Sequence, residues 1–139
     1  MARIEIRRVD DSFALEATDA NSHSLRMDAA EAIGGHNSGI RPMQTLLMGL
    51  GGCGGIDIIS ILKKQRQEIK DFSMVIEGER ETGKEPALWK HVQIQFRFTG
   101  DVDLDKAQKA CDLSLNKYCS VAATLRAAGC TIEWTVETA

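Results

Sequence analysis

The stretch "GLGGCGG", Gly49 to Gly55, sets one thiol among five glycines. Gly49, Gly51 and Gly54 also spell G-x-G-x-x-G, the spacing that seats a dinucleotide pyrophosphate on a helix N-terminus. That chemistry needs a strand before the glycines and a helix that starts at them. Here "RPMQTLLM" has no β-branched residue except Thr45 and follows the helix-starting Pro42, so the glycines lie inside a helix. A chain of 139 residues is also short for a two-half dinucleotide fold. The thiol is the better candidate for chemistry. Small residues around Cys53 let a second element approach closely and leave a narrow cleft for a slim substrate.

Thiol chemistry of the redox kind needs a second sulfur, and Cys119 is the best placed. It opens the last short helix, where backbone amides favour a thiolate or sulfenate. Cys111 is spaced as a core residue of the preceding helix and Cys130 begins a strand, so both read as structural. The chain opens on "MARIEIRRVDD" with no apolar leader, so the four cysteines are expected to be reduced in the cytoplasm rather than paired in a disulfide framework. No C-x-x-C occurs, and His23, His36 and His91 stand apart, so neither a metal nor another cofactor is expected.

The elements that must position these sulfurs follow from periodicity. From "ARIEIRRV" through "SFALEAT" to "SHSLRMD" apolar and polar residues alternate, broken at Asp10-Asp11-Ser12 and Asp19-Ala20-Asn21, which predicts a three-stranded antiparallel meander. "GGHNSGIRP" is a loop. Residues 43–67 form one long, mostly buried helix, in which each glycine costs up to about 1 kcal/mol relative to Ala and therefore needs a packing reason. "FSMVIEGERET" and "KHVQIQFRFTG" make a long hairpin, "DLDKAQKACDLSLNKY" a helix behind an Asp103 cap, "CSVAATLRAAG" a short helix closed by Gly129, and "CTIEWTV" a last strand. The order βββ–α–ββ–αα–β reads as a single α+β domain over residues 1–139, not as alternating βαβ units.

Composition narrows the partners. The net charge is −3 with scattered basic residues, which leaves no footprint for nucleic acid. The longest apolar run is interrupted by glycines and Asp57, so no membrane partner is expected.

"RPMQTLLMGLGGCGGIDIISIL" together with "SLNKYCSVAATL" resembles the OsmC/Ohr family of thiol peroxidases, over nearly the whole chain. The resemblance implies an α+β OsmC-like fold with antiparallel sheets around the long central helix, and an intertwined homodimer with two sites at its interface. It implies that Cys53 is the peroxidatic cysteine and Cys119 the resolving one. The substrate would be a small organic hydroperoxide and the reductant a dithiol or lipoyl donor.

The sequence departs from the family pattern in three places. Met43 follows Pro42 where peroxidase members carry a glutamate, the first turn is "VDDS" instead of Gly-Arg, and Ser120 follows Cys119 where a proline is usual. Arg80, with Glu79 to hold it, is the leading substitute for the missing activating arginine, and Arg41 is a second. Two functions follow. One is a thiol-dependent peroxidase; the alternative is a non-catalytic or redox-sensing protein of the same fold that binds a small hydrophobic ligand in the same cleft.

Overall fold

The computed structural model describes residues 1–139, which form two compact units, Met1–Leu46 and Leu47–Ala139. The first unit contains the expected meander: β1 (Glu5–Arg8), β2 (Leu15–Thr18) and β3 (Ser24–Met27), paired antiparallel in chain order. Both turns are built on an aspartate. Asp10 accepts the amides of Ser12 at 2.9 Å and Ala14 at 3.1 Å, and Asp19 those of Asn21 at 2.9 Å and His23 at 2.8 Å.

Behind β3 the glycine-rich loop folds around the carboxylate of Asp28, which is only 3% exposed. It accepts the amides of Ala29 (2.7 Å), His36 (3.1 Å) and Ser38 (3.0 Å) and the Ser38 hydroxyl (2.7 Å). The backbone turns so tightly that a Cβ on Gly35 would lie 2.2 Å from the carbonyl oxygen of Ala29, so only glycine fits there.

The long helix α1 (Pro42–Lys64) starts with proline at its first position, as expected, and runs on into the second unit. There β4 (Glu68–Arg80) and β5 (Trp89–Asp101) form the long antiparallel hairpin. On β5 the alternation is complete, with Val92, Ile94, Phe96 and Phe98 buried and Gln93, Gln95 and Arg97 exposed. The core adds Leu50, Ile58 and Leu62 of α1 to these residues. It is closed by α2 (Leu104–Leu113), α3 (Ser120–Ala127) and β6 (Thr131–Thr138). The Asp103 side chain caps α2 by accepting the Lys106 amide at 3.1 Å.

Three sequence expectations are corrected. First, the second sheet is mixed: β6 pairs with β5 in parallel, from His91↔Thr131 to Phe98↔Thr138. The helices between those strands return the chain to the starting end of β5, so a βαβ crossover sits inside the α+β fold. Second, α2 does not break cleanly before α3; Ser114–Tyr118 is a π-helical turn. Third, α1 is not mostly buried.

The most apolar 18-residue window of α1 has mean hydropathy 1.7, so by length and composition the helix is able to cross a membrane, yet it packs on the sheet with a third of that window (33%) buried. Met48, Ile56 and Ile59 lie open at 50%, 72% and 46% exposure. Gly51 and Gly55 face Met74, Ile76 and Phe72 of β4, and Gly54 faces Leu115, whereas Gly52 has nothing within 4 Å of where a Cβ would stand.

The hydrogen bonds to Asp28 hold its carboxyl below the usual carboxylate range, chiefly through the Ser38 amide and hydroxyl. A depressed folded-state value stabilises the loop above the ordinary aspartate range and is lost as pH falls through the lowered value. Asp28→Ala should therefore speed amide hydrogen exchange at His36 and Ser38 at neutral pH, and wild type should approach the variant's exchange pattern only in strong acid. Unchanged exchange in the variant would show that the loop does not depend on this carboxylate.

Candidate dithiol site

Both predicted sulfurs belong to the second unit, and the fold brings them together. Cys53 sits at the middle of α1, half-buried, and Cys119 occupies the N-cap of α3, only 3% exposed. The Cys53 thiol lies close enough to Cys119 to raise its pKa, and all four cysteines are free thiols.

The helix-end amides act as the sequence reading expects but do not prevail. The Cys119 Sγ accepts the Ala122 N–H at 3.3 Å, which favours the thiolate, yet burial pushes this thiol up to about 11, with further raising from the adjacent Cys53. Cys119 is thus held as a protonated thiol at neutral pH. Cys111, fully buried on α2, is pushed up to about 12, by burial and then by the charge of Asp112. Burial also raises Cys130, with Arg126 opposing. Both match the structural role expected for them.

Ser114, Asp57 and Arg126, which no motif in the sequence marks, complete the site. Ser114, fully buried, places its hydroxyl 3.2 Å from the Gly54 carbonyl oxygen and 3.2 Å from Asp57 Oδ2. Its own carbonyl accepts the Cys119 amide at 2.7 Å, the i→i−5 bond that defines the π turn. Arg126 of α3 binds the Leu115 carbonyl and reaches Asn116 Oδ1 at 3.4 Å, so the turn is clasped from its other side. A signal for Asp57 was available: it lies four residues after Cys53, on the same helix face.

The proposed activating pair is engaged elsewhere. Arg80, exposed at the end of β4, donates from Nε (3.2 Å) and Nη2 (2.8 Å) to the Ala87 carbonyl and lies over the Trp89 ring at 5.8 Å. Glu79 is exposed opposite His91, and no ion pair joins it to Arg80. Arg41 binds the Gly39 carbonyl at 3.2 Å and Asn37 Oδ1 at 3.0 Å, within the first unit.

An α+β fold that holds two thiols side by side, one on a long glycine-rich helix and one at a helix N-cap, defines the class of the protein. Residues 35–135 match the family of OsmC-like proteins, and the chain belongs to that family. Protein YhfA of Escherichia coli strain K12 is 39% identical over 113 residues, 78% of each chain. The crystal structure of a hypothetical protein from Aquifex aeolicus VF5, 28% identical, superposes with a TM-score of 0.82 over 100% of this chain and 98% of that one. An organic hydroperoxide resistance protein OsmC from Legionella pneumophila has the same fold, with a TM-score of 0.73 over 99% of this chain and 96% of that one at 15% identity.

The burial of three of the four thiols predicts their order of reaction. At about pH 8 iodoacetamide should label Cys53 first, since a thiol held near 11 carries roughly one thiolate per thousand at that pH. Labelling of Cys119 should rise with pH up to about 11, and Cys111 should stay unmodified longest. Cys53→Ala should move the Cys119 profile to lower pH, because the neighbouring thiol is one of the causes that raise it. Peptide mass spectrometry reads all three, and early labelling of Cys111 would contradict the burial described.

Proposed function

We propose that the protein is a thiol-dependent peroxidase that reduces organic hydroperoxides in a reducing, cytoplasmic setting, with Cys53 peroxidatic and Cys119 resolving. The observation that carries this reading is the adjacency of those two sulfurs across 66 residues of sequence, 119 minus 53. The Cys53 thiolate attacks the terminal oxygen of the hydroperoxide. The O–O bond breaks, the alkoxide takes a proton and leaves as the alcohol, and Cys53 becomes a sulfenic acid. The Cys119 sulfur then attacks the Cys53 sulfur as the S–O bond breaks. Its proton, retained at neutral pH, leaves with the hydroxide as water. A dithiol or lipoyl donor returns both thiols by exchange.

A homodimer belongs to the same proposal. Gly49, Gly52, Ile56 and Ile59 form one stripe on α1 at spacings of three and four residues, exposed in the single chain. A second copy presents the same stripe, so the two helices cross with glycine opposite isoleucine. Light scattering should give about twice 15.3 kDa for wild type, and Ile56→Glu should shift it toward one chain's mass. A wild-type monomer at micromolar concentration would remove the dimer.

The placement of Arg80 favours a second reading. With its guanidinium given to Ala87 and Trp89, no assigned cation activates Cys53, which suits a non-catalytic or redox-sensing protein that binds a small hydrophobic ligand at the same thiols. Cumene hydroperoxide with dithiothreitol or dihydrolipoamide separates the two. A peroxidase consumes the peroxide, loses this entirely in Cys53→Ser, and in Cys119→Ser accumulates a dimedone-reactive sulfenic acid on Cys53. No consumption, or full turnover in both variants, leaves the second reading.

A further inference from the structure

Ser114 is the point at which the two cysteine-bearing segments are tied. Its hydroxyl bonds the carbonyl of Gly54, the residue that follows Cys53, and its carbonyl bonds the amide of Cys119 itself at 2.7 Å. The route from one cysteine to the other therefore crosses a peptide bond, two hydrogen bonds and two residues, Gly54 and Ser114. We propose that Ser114 is a positioning residue that fixes the segments bearing Cys53 and Cys119 against each other and so sets how readily the two thiols form a disulfide. The proposal deepens the peroxidase reading, because resolution is the step it governs, but it concerns the thiol pair itself and is tested without peroxide.

Three features support a positioning role over simple filling of space. A serine with no exposed surface is an expensive choice for a site that alanine would fill, unless its hydroxyl is used. The Gly54 carbonyl already accepts within helix α1, so the Ser114 bond is not needed to satisfy it. The π turn inserts one residue between α2 and α3, and that extra residue brings the Cys119 amide under the Ser114 carbonyl. Asp57 Oδ2, at 3.2 Å from the same hydroxyl, shares its proton and keeps the serine rotamer aimed at α1.

The test is a redox titration of the full-length protein against mixtures of reduced and oxidised glutathione. In that equilibrium the two protein thiols become one disulfide while glutathione disulfide becomes two glutathione thiols, so electrons and protons balance with no other reactant. Ser114→Ala should lower the effective concentration of one thiol at the other by about tenfold, which raises the reduction potential by about 30 mV. Asp57→Ala should move it in the same direction by less, since the hydroxyl keeps its Gly54 acceptor. Ala110→Gly, a comparably buried change on α2, controls for general loss of stability: it should lower the melting temperature and leave the potential in place. A Ser114→Ala potential equal to wild type, or a shift shared by Ala110→Gly, would overturn the inference. If instead the potential moves as expected while neither protein consumes cumene hydroperoxide, the positioning role stands and the peroxidase reading falls.

Discussion

Helix α1 approaches the turn at Ser114 and Leu115 as closely as it does because residue 54 has no side chain. A Cβ there would stand 3.2 Å from Leu115 Cδ2 and 3.7 Å from the Ser114 hydroxyl, and Leu115 is itself 1% exposed, with little room to withdraw. Gly51 and Gly55 do the same on the sheet side, where Met74 and Ile76 press on the helix. The helix gives up propensity at these positions and gains two close interfaces, one that completes the core and one that brings a second sulfur to Cys53. The thiol pair and the buried serine lie at the second of these interfaces.

The same contact explains how the two thiols differ. Cys53 rides on the helix, where one side remains open, while Cys119 is drawn beneath α3 and loses its solvent. Desolvation dominates its titration even though a helix N-terminus points amides at the sulfur. Position at a helix end therefore does not by itself yield a ready thiolate; the depth of the site decides.

Much of this was legible in the sequence. The meander, the helix from Pro42, the long hairpin and the choice of Cys53 and Cys119 as the candidate thiols could be read because each leaves a local trace: alternation, a helix-starting proline, glycine around a thiol, a cysteine before a helix. Apart from Asp57, what was missed leaves none. "TIEWTV" alternates whether its partner runs parallel or antiparallel, and only the route of the chain through two helices decides. The residues "SLNKY" carry helical periodicity with no breaker, so a change from i−4 to i−5 bonding is invisible in their types. Ser114 becomes notable only once its burial is known. Arg80, as a substitute for the family's activating arginine, has no local trace of what it faces; the hairpin turns it onto a carbonyl and a tryptophan face.

The parallel pairing of β5 with β6 also has a consequence for how the chain reaches this state. His91 and Thr131 meet across 40 residues, and everything between them, including the π turn and Cys119, lies inside the loop that this pairing closes. Contacts of that range form late, after the local hairpin and helices, because the entropy of closing the loop precedes any return from the pairing. During synthesis Cys53 leaves the ribosome well before Cys119, and β6 follows both. The paired thiols thus join segments made well apart in time, the helix that carries Cys53 and the later turn that carries Cys119.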